Sequence, residues 1–121
     1  MQYLALIYAD EAEWSALSPE EKETMYDRYR AVAGEATEAG VMTGGSELAP
    51  TTDATTVRVR ADETLVTDGP YAEVKEALGG YFLFECASMD EALDWAARIP
   101  GAEYGAVEVR HVHVDPAEVQ L

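Results

Sequence analysis

The run Tyr3-Leu4-Ala5-Leu6-Ile7-Tyr8 is almost entirely apolar and six residues long. Such a run predicts a short strand with hydrophobic groups on both faces. Asp10 then predicts a cap for a brief turn carrying Trp14 and Leu17. A clearer helix start follows: Ser18 is an N-cap residue, Pro19 suits the first helical position, and Glu21 completes an S-x-x-E capping box. Met25, Tyr29, Val32 and Ala36 recur at helical spacing, with Tyr26 and Ala33 alongside, and Gly40 ends the helix. Val41 to Leu48 reads as a strand weakened by Gly44-Gly45.

Beyond the loop Ala49 to Asp53, Thr56-Val57-Arg58-Val59-Arg60 alternates as a half-exposed strand does. Ala61-Asp62-Glu63 turns the chain and Thr64-Leu65-Val66-Thr67 returns it, predicting a hairpin that Asp68-Gly69-Pro70 breaks. Tyr71 to Leu78 is polar, with at most one helical turn, and Gly79-Gly80 closes it. Tyr81 to Cys86 is a second apolar strand. Ser88 with Glu91 opens a helix carrying Ala92, Leu93, Ala96, Ala97 and Ile99, which Pro100-Gly101 terminates. Ala106 to Val114 reads as the last strand.

Two strand–helix–strand units flanking a hairpin insert predict an α+β, ferredoxin-like split βαβ sheet with both helices on one face. Helices on one face leave the other face of two doubly apolar strands uncovered. A second copy packing sheet to sheet would cover it, so the expectation is a homodimer, a dimeric α+β barrel with two-fold symmetry.

Length and charge narrow the function. At 121 residues the chain suits one domain, 1–121, and 48% hydrophobic residues exclude a disordered acidic tail. With 24 Asp and Glu against 8 Lys and Arg, the net charge is −16. That charge repels phosphate backbones and anionic lipid, so no nucleic-acid partner and no membrane partner is expected. The N-terminal apolar run is short and has no basic residue before it, and no segment approaches the ~20 apolar residues of a membrane span. These features point to a cytoplasmic protein. The lone cysteine, Cys86, lies in an apolar run and reads as a buried, inert thiol.

The stretch Val66-Thr67-Asp68-Gly69-Pro70-Tyr71-Ala72-Glu73-Val74-Lys75-Glu76 closely resembles the DGPFAETKE signature of the YCII-related (DGPF-domain) family. Gln2 to Tyr8, Leu78-Gly79-Gly80-Tyr81-Phe82, Ala92 to Ala97 and Val107 to Arg110 are similar to that family's opening strand, LGG-aromatic segment, later helix and later strand. The resemblance spans essentially the whole chain. It implies a dimeric, ferredoxin-like α+β barrel, and for some relatives acid–base chemistry on small aromatic-ring-derived molecules through a His–Asp pair. Tyr71 stands where the signature has Phe, and Val74 where it has Thr. No histidine occurs from Met1 to Arg110, so the pair does not carry over to this chain.

Asp68-Gly69-Pro70 has a structural reading, in which Asp accepts turn hydrogen bonds, Gly takes positive φ and Pro fixes the exit. Its functional reading places the Asp68 carboxylate at a pocket mouth as a general base, with Lys75 lowering its pKa or binding substrate. Tyr8, Gly69, Pro70, Tyr71 and Glu73 are the expected substrate contacts, in a pocket between sheet and hairpin near Asp68. Tyr26, Tyr29 and Tyr81, with Tyr8 and Tyr71, read mostly as packing residues, with one or two hydroxyls directed at a ligand. His111 and His113 share a strand face but lack evident further ligands, so no metal and no cofactor is expected. The leading function is thus a small-molecule protein, a cofactor-free acid–base enzyme of lyase or isomerase type. The alternative is a non-catalytic ligand-binding or regulatory dimer, and direct DNA binding is disfavoured by charge.

Overall fold

A computed structural model describes residues 1–113. Strand β1 (Gln2–Asp10) runs into helix α1 (Glu11–Ala16), where Asp10 is the N-cap and accepts from the Ala12 amide at 2.9 Å. Helix α2 (Pro19–Glu38) opens with the full capping box: the Glu21 amide donates to Ser18 Oγ at 3.1 Å and the Ser18 amide to Glu21 Oε1 at 2.9 Å. The Ser18 amide, and after it the Ser18 hydroxyl, hold the Glu21 carboxyl below the usual carboxylate range.

Strand β2 (Met42–Glu47) follows, then a 3-10 turn at Thr51–Asp53 and the hairpin of β3 (Thr55–Arg60) and β4 (Glu63–Asp68). Strand β5 (Glu76–Glu85), helices α3 (Met89–Ala96) and α4 (Gly101–Tyr104), and β6 (Ala106–Val112) complete the order. The predicted final strand to Val114 extends past the described residues.

The four long-range strands form one antiparallel sheet in the order β2-β5-β1-β6. β1 and β2 run parallel to each other but are separated by β5, which is the split βαβ arrangement of a ferredoxin-like fold. Alternation along β1 sends Tyr3, Ala5 and Ile7 into the core. There they join Phe82 and Phe84 of β5, Val32 and Ala36 of α2, Ala92 and Ala96 of α3, and Ile99. Phe84 sits edge-on to Phe82 at 6.0 Å, and Phe82 to Tyr29 at 6.4 Å. The alanines let the helices lie close over the aromatic layer.

Two local expectations are corrected. Gly79-Gly80 does not end a segment; it lies inside β5, which starts at Glu76, and Glu76-Ala77-Leu78 is strand with no helical turn. The physical reason is close backbone approach. A Cβ on Gly80 would sit 2.9 Å from the Ser46 carbonyl oxygen, so glycine is what permits β2 and β5 to pair there. The helix opened by Ser88 stops at Ala96, short of Ile99, and Pro100-Gly101 begins the short α4 as well as ending what precedes it.

Candidate functional site

The second face of the sheet carries Leu4, Leu6, Tyr81 and Leu83, half-buried, with Leu4 opposite Leu83 and Leu6 opposite Tyr81. Among the described residues no helix crosses it. The helix-bearing face is sealed at its centre but opens at the end where β1 finishes.

There α1, α2 and the β2–β3 connection surround a cavity of about 410 Å³. Trp14 and Tyr26 meet edge to face at 5.3 Å, so α1 and α2 together form one wall. Tyr29, Met42 and Phe82 extend the apolar lining, and Gly45, Gly79 and Gly80 leave the β2–β5 backbone accessible as the floor. The roof loop is fixed by Glu11, whose carboxylate accepts from the Thr51 amide at 2.9 Å and from the Thr51 hydroxyl. A second cavity of about 590 Å³ shares Trp14 and Tyr29 with the first and is bounded by Met25, Arg28, Gly101 and Tyr104.

Polar chemistry in the first cavity converges on one pair. The Tyr26 hydroxyl donates to Glu47 Oε1 at 3.0 Å, tying α2 to the end of β2. Burial raises the Tyr26 pKa, and the bond to the Glu47 carboxylate raises it further. Tyr29, more deeply set, is also raised by burial, against a smaller opposing pull from the Gly101 backbone. Arg30 is committed to Asp27 and Glu23. The lining carboxylates Asp10, Glu11 and Glu47 therefore leave the site acidic and suited to uncharged or cationic molecules rather than anions.

The sequence-selected residues lie elsewhere. Asp68 ends β4 and is exposed, and Gly69, Pro70, Tyr71, Glu73 and Lys75 follow it in an open segment that lines neither cavity. Gly69 takes φ +99°, its amide donates to the Ala54 carbonyl at 2.7 Å, and its carbonyl accepts from Thr56 Oγ1 at 2.8 Å. The turn is thus anchored through Gly69, while the Asp68 carboxylate takes part in none of the hydrogen bonds among the described residues. Lys75 makes no ion pair with Asp68 or with another described carboxylate. Tyr8 belongs to the uncovered sheet face, opposite Leu78 and Ala106.

His111 and His113 do share a side, with ring centroids 5.2 Å apart, and His111 also lies 5.1 Å from Tyr3. Among the described residues no group of three or more His, Cys, Asp or Glu side chains gathers as a metal site would. Cys86 is buried, and burial pushes its thiol up. Among the described residues no helix is long and apolar enough to cross a membrane.

Trp14, Met42 and Glu47 were missed as site residues. Their only sequence signal is an aromatic, thioether or acidic residue near an element end, and that signal is common. Comparison with known proteins agrees with the whole-chain resemblance. A family model of the YCII-related domain matches residues 1–114. An uncharacterised protein of Rhizobium meliloti (strain 1021) is 46% identical over 112 residues, covering 91% of this chain and 90% of its own length.

Proposed function

The chain belongs to the YCII-related family, and from that premise we propose that it binds a small, uncharged ring-containing molecule in the cavity beneath α1 and α2. The observation that carries this reading is the pairing of Tyr26 with Glu47 at the mouth of a cavity walled by Trp14, Tyr29, Met42 and Phe82. Apolar walls with few convergent polar groups are the usual form of a small-molecule site. A ring fills the space between Trp14, Tyr29 and Phe82, and the second oxygen of Glu47 accepts from a ligand hydroxyl. Glu47 and Tyr26 also form a proton path, the carboxylate as base and the phenol as relay, so cofactor-free acid–base turnover is the finer reading. Non-catalytic binding or regulation is the alternative, and turnover of a bound compound separates the two.

A second acid–base reading rests on Asp68 with Lys75. What favours it is that the Asp68 carboxylate is exposed and takes part in no described intrachain hydrogen bond, while its neighbour Gly69 supplies the turn's bonds. Tyr8, Pro70, Tyr71 and Glu73 are the contacts this reading would use.

The protein is proposed to work as a homodimer of one domain per chain, closed sheet to sheet over Leu4, Leu6, Tyr81 and Leu83. The cytoplasm, where the lone thiol of Cys86 stays reduced, is its proposed compartment.

Trp14 supplies the test of the cavity. A library of small ring alcohols, phenols and amines is screened by tryptophan emission and thermal shift. Binding at the proposed site changes emission in the unsubstituted protein, and the change is absent in Trp14→Phe, which keeps Trp95. If every active compound acts equally on Trp14→Phe, or if none acts at all, the cavity reading is wrong.

A further inference from the structure

The hairpin of β3 and β4 pairs within itself and makes at most grazing contact with the other elements. Its register sets Val57 opposite Val66, with Val59 beside them on the same face. These three are 60%, 65% and 59% exposed, and in the segment that follows Tyr71 is 79% and Val74 61% exposed. A two-stranded hairpin alone is marginal in water, and a row of exposed valines on one needs cover.

We propose that residues 54–75 form an arm that packs on a second copy of this chain. The inference rests on the sheet-to-sheet pairing proposed above and adds to it a second contact surface.

Two observations select a second copy as the occupant. The first is charge. The arm holds Arg58, Arg60 and Lys75, three of the chain's 8 basic residues, but only Asp62, Glu63, Asp68 and Glu73 of its 24 acidic ones. None of the three cations has a carboxylate partner among the described residues, whereas Arg28, Arg30, Arg98 and Arg110 all have one. A nearly neutral arm with free cations therefore projects from a strongly acidic body, and another such body is the complementary surface. A two-stranded ribbon is only about 10 Å wide, so an arginine on its far face reaches past either edge to the surface below.

The second observation is area. The sheet has four strands, with β1 and β6 paired over Gln2–Tyr8. Strand spacing and rise make that face roughly 450 Å², so two faces closing on each other bury only about 900 Å². Stable interfaces bury about 1,200–2,000 Å². One face of a six-residue hairpin adds roughly 200 Å², and two arms with the surface they cover bring the total to about 1,700 Å². Side-chain relief makes the buried accessible area larger than this flat figure, so the sheet faces alone stand at the low end for a stable dimer, and the arms enlarge the contact.

The test is the dimer dissociation constant by fluorescence-detected sedimentation. It compares the unsubstituted protein, Val57→Thr with Val66→Thr, Arg58→Glu with Arg60→Glu, and Leu6→Arg on the sheet face. The two arm variants are expected to keep the far-UV spectrum and to weaken dimerisation at least tenfold. Arm variants that dimerise within about threefold of the unsubstituted protein, while Leu6→Arg dissociates, overturn the arm and leave the sheet pairing standing. An unsubstituted protein that is monomeric at 100 μM, as a rough upper limit for a weak specific pair, overturns the sheet pairing and the arm with it. Hydrogen exchange on the unsubstituted protein gives a readout independent of any variant. Amides of Thr55–Arg60 and Glu63–Asp68 gain protection as concentration rises through the dissociation constant, and protection that does not change with concentration overturns the arm.

Discussion

The Tyr26 hydroxyl and the Glu47 carboxylate meet at 3.0 Å across the mouth of the cavity, joining the middle of α2 to the last residue of β2. Because the pair is open to solvent, its net worth to folding is small, about 0.5–1 kcal/mol. Tyr26→Phe is therefore expected to lower stability by no more than that in urea denaturation. Any ring compound found to bind should lose affinity by a larger factor, since Glu47 then loses the donor that orients it. Equal losses in folding and binding would reduce the pair to a structural clasp.

The capped helices were legible in the sequence because capping is local chemistry. Asp10, Ser18 and Ser88 each accept from a backbone amide of the first turn, although at Ser88 the Glu91 carboxylate accepts from the Ala87 amide rather than from that of Ser88. The hairpin was legible from alternation, and its turn places Ala61 and Asp62 at φ 50° and 63°, unusual for residues other than glycine. The start of β5 was not legible, because glycine propensity argues against a strand and only the approach of Ser46 explains Gly80. The cavity was not legible as a motif either. Trp14, Tyr26 and Glu47 lie far apart along the chain and are joined only by tertiary packing, whereas the DGPY run stands out because its information is contiguous.

Tyr29 and Tyr26 give the fold an alkaline limit. Both phenols are raised above their ordinary value of 10.0, with burial the first cause in each. A raised folded pKa means the neutral form is favoured by folding. The corresponding stability is complete below the unfolded value and is lost as pH rises through the folded one. Melting temperature should therefore fall as pH climbs above about 10, the ordinary tyrosine pKa. In a phenolate absorbance titration the late-ionising amplitude should shrink in Tyr29→Phe and again in Tyr26→Phe. A titration curve identical in the three proteins would refute the assignment.

Gly101 opens α4 against the core. A Cβ there would lie 2.7 Å from Ile7 Cγ2 and 2.8 Å from the Tyr29 hydroxyl. Ile7 is buried in the core and has little room to move, and the Tyr29 ring is set edge-on against Phe82. Gly101→Ala is expected to destabilise by about 1–3 kcal/mol, the usual range for overpacking. Combining it with Tyr29→Phe, which removes one of the two clashing atoms, should recover part of that loss. Full additivity of the two changes in thermal melting would show that the clash with Tyr29 is absent.

Asp68 and Gly69 divide the DGPY turn between them, and substitutions should separate their parts. Gly69 carries the structural share. At φ +99°, with its amide on Ala54 and its carbonyl on Thr56, it tolerates a side chain poorly. Gly69→Ala should cost about 1 kcal/mol or more, since left-handed backbone is strained for residues with a Cβ. Asp68 holds no part of that network, so Asp68→Asn should leave thermal stability within about 0.5 kcal/mol, as surface substitutions away from structural features do. Asn keeps the size and polarity of the carboxylate and removes only its charge. If the carboxylate serves a ligand or a proton, Asp68→Asn should therefore abolish binding or turnover of a compound that the unsubstituted protein handles, at unchanged melting temperature. A fall in melting temperature as large as that of Gly69→Ala would instead make Asp68 a turn residue. Unchanged melting with unchanged binding would remove it from the site and leave Tyr26 and Glu47 as the groups that meet the ligand.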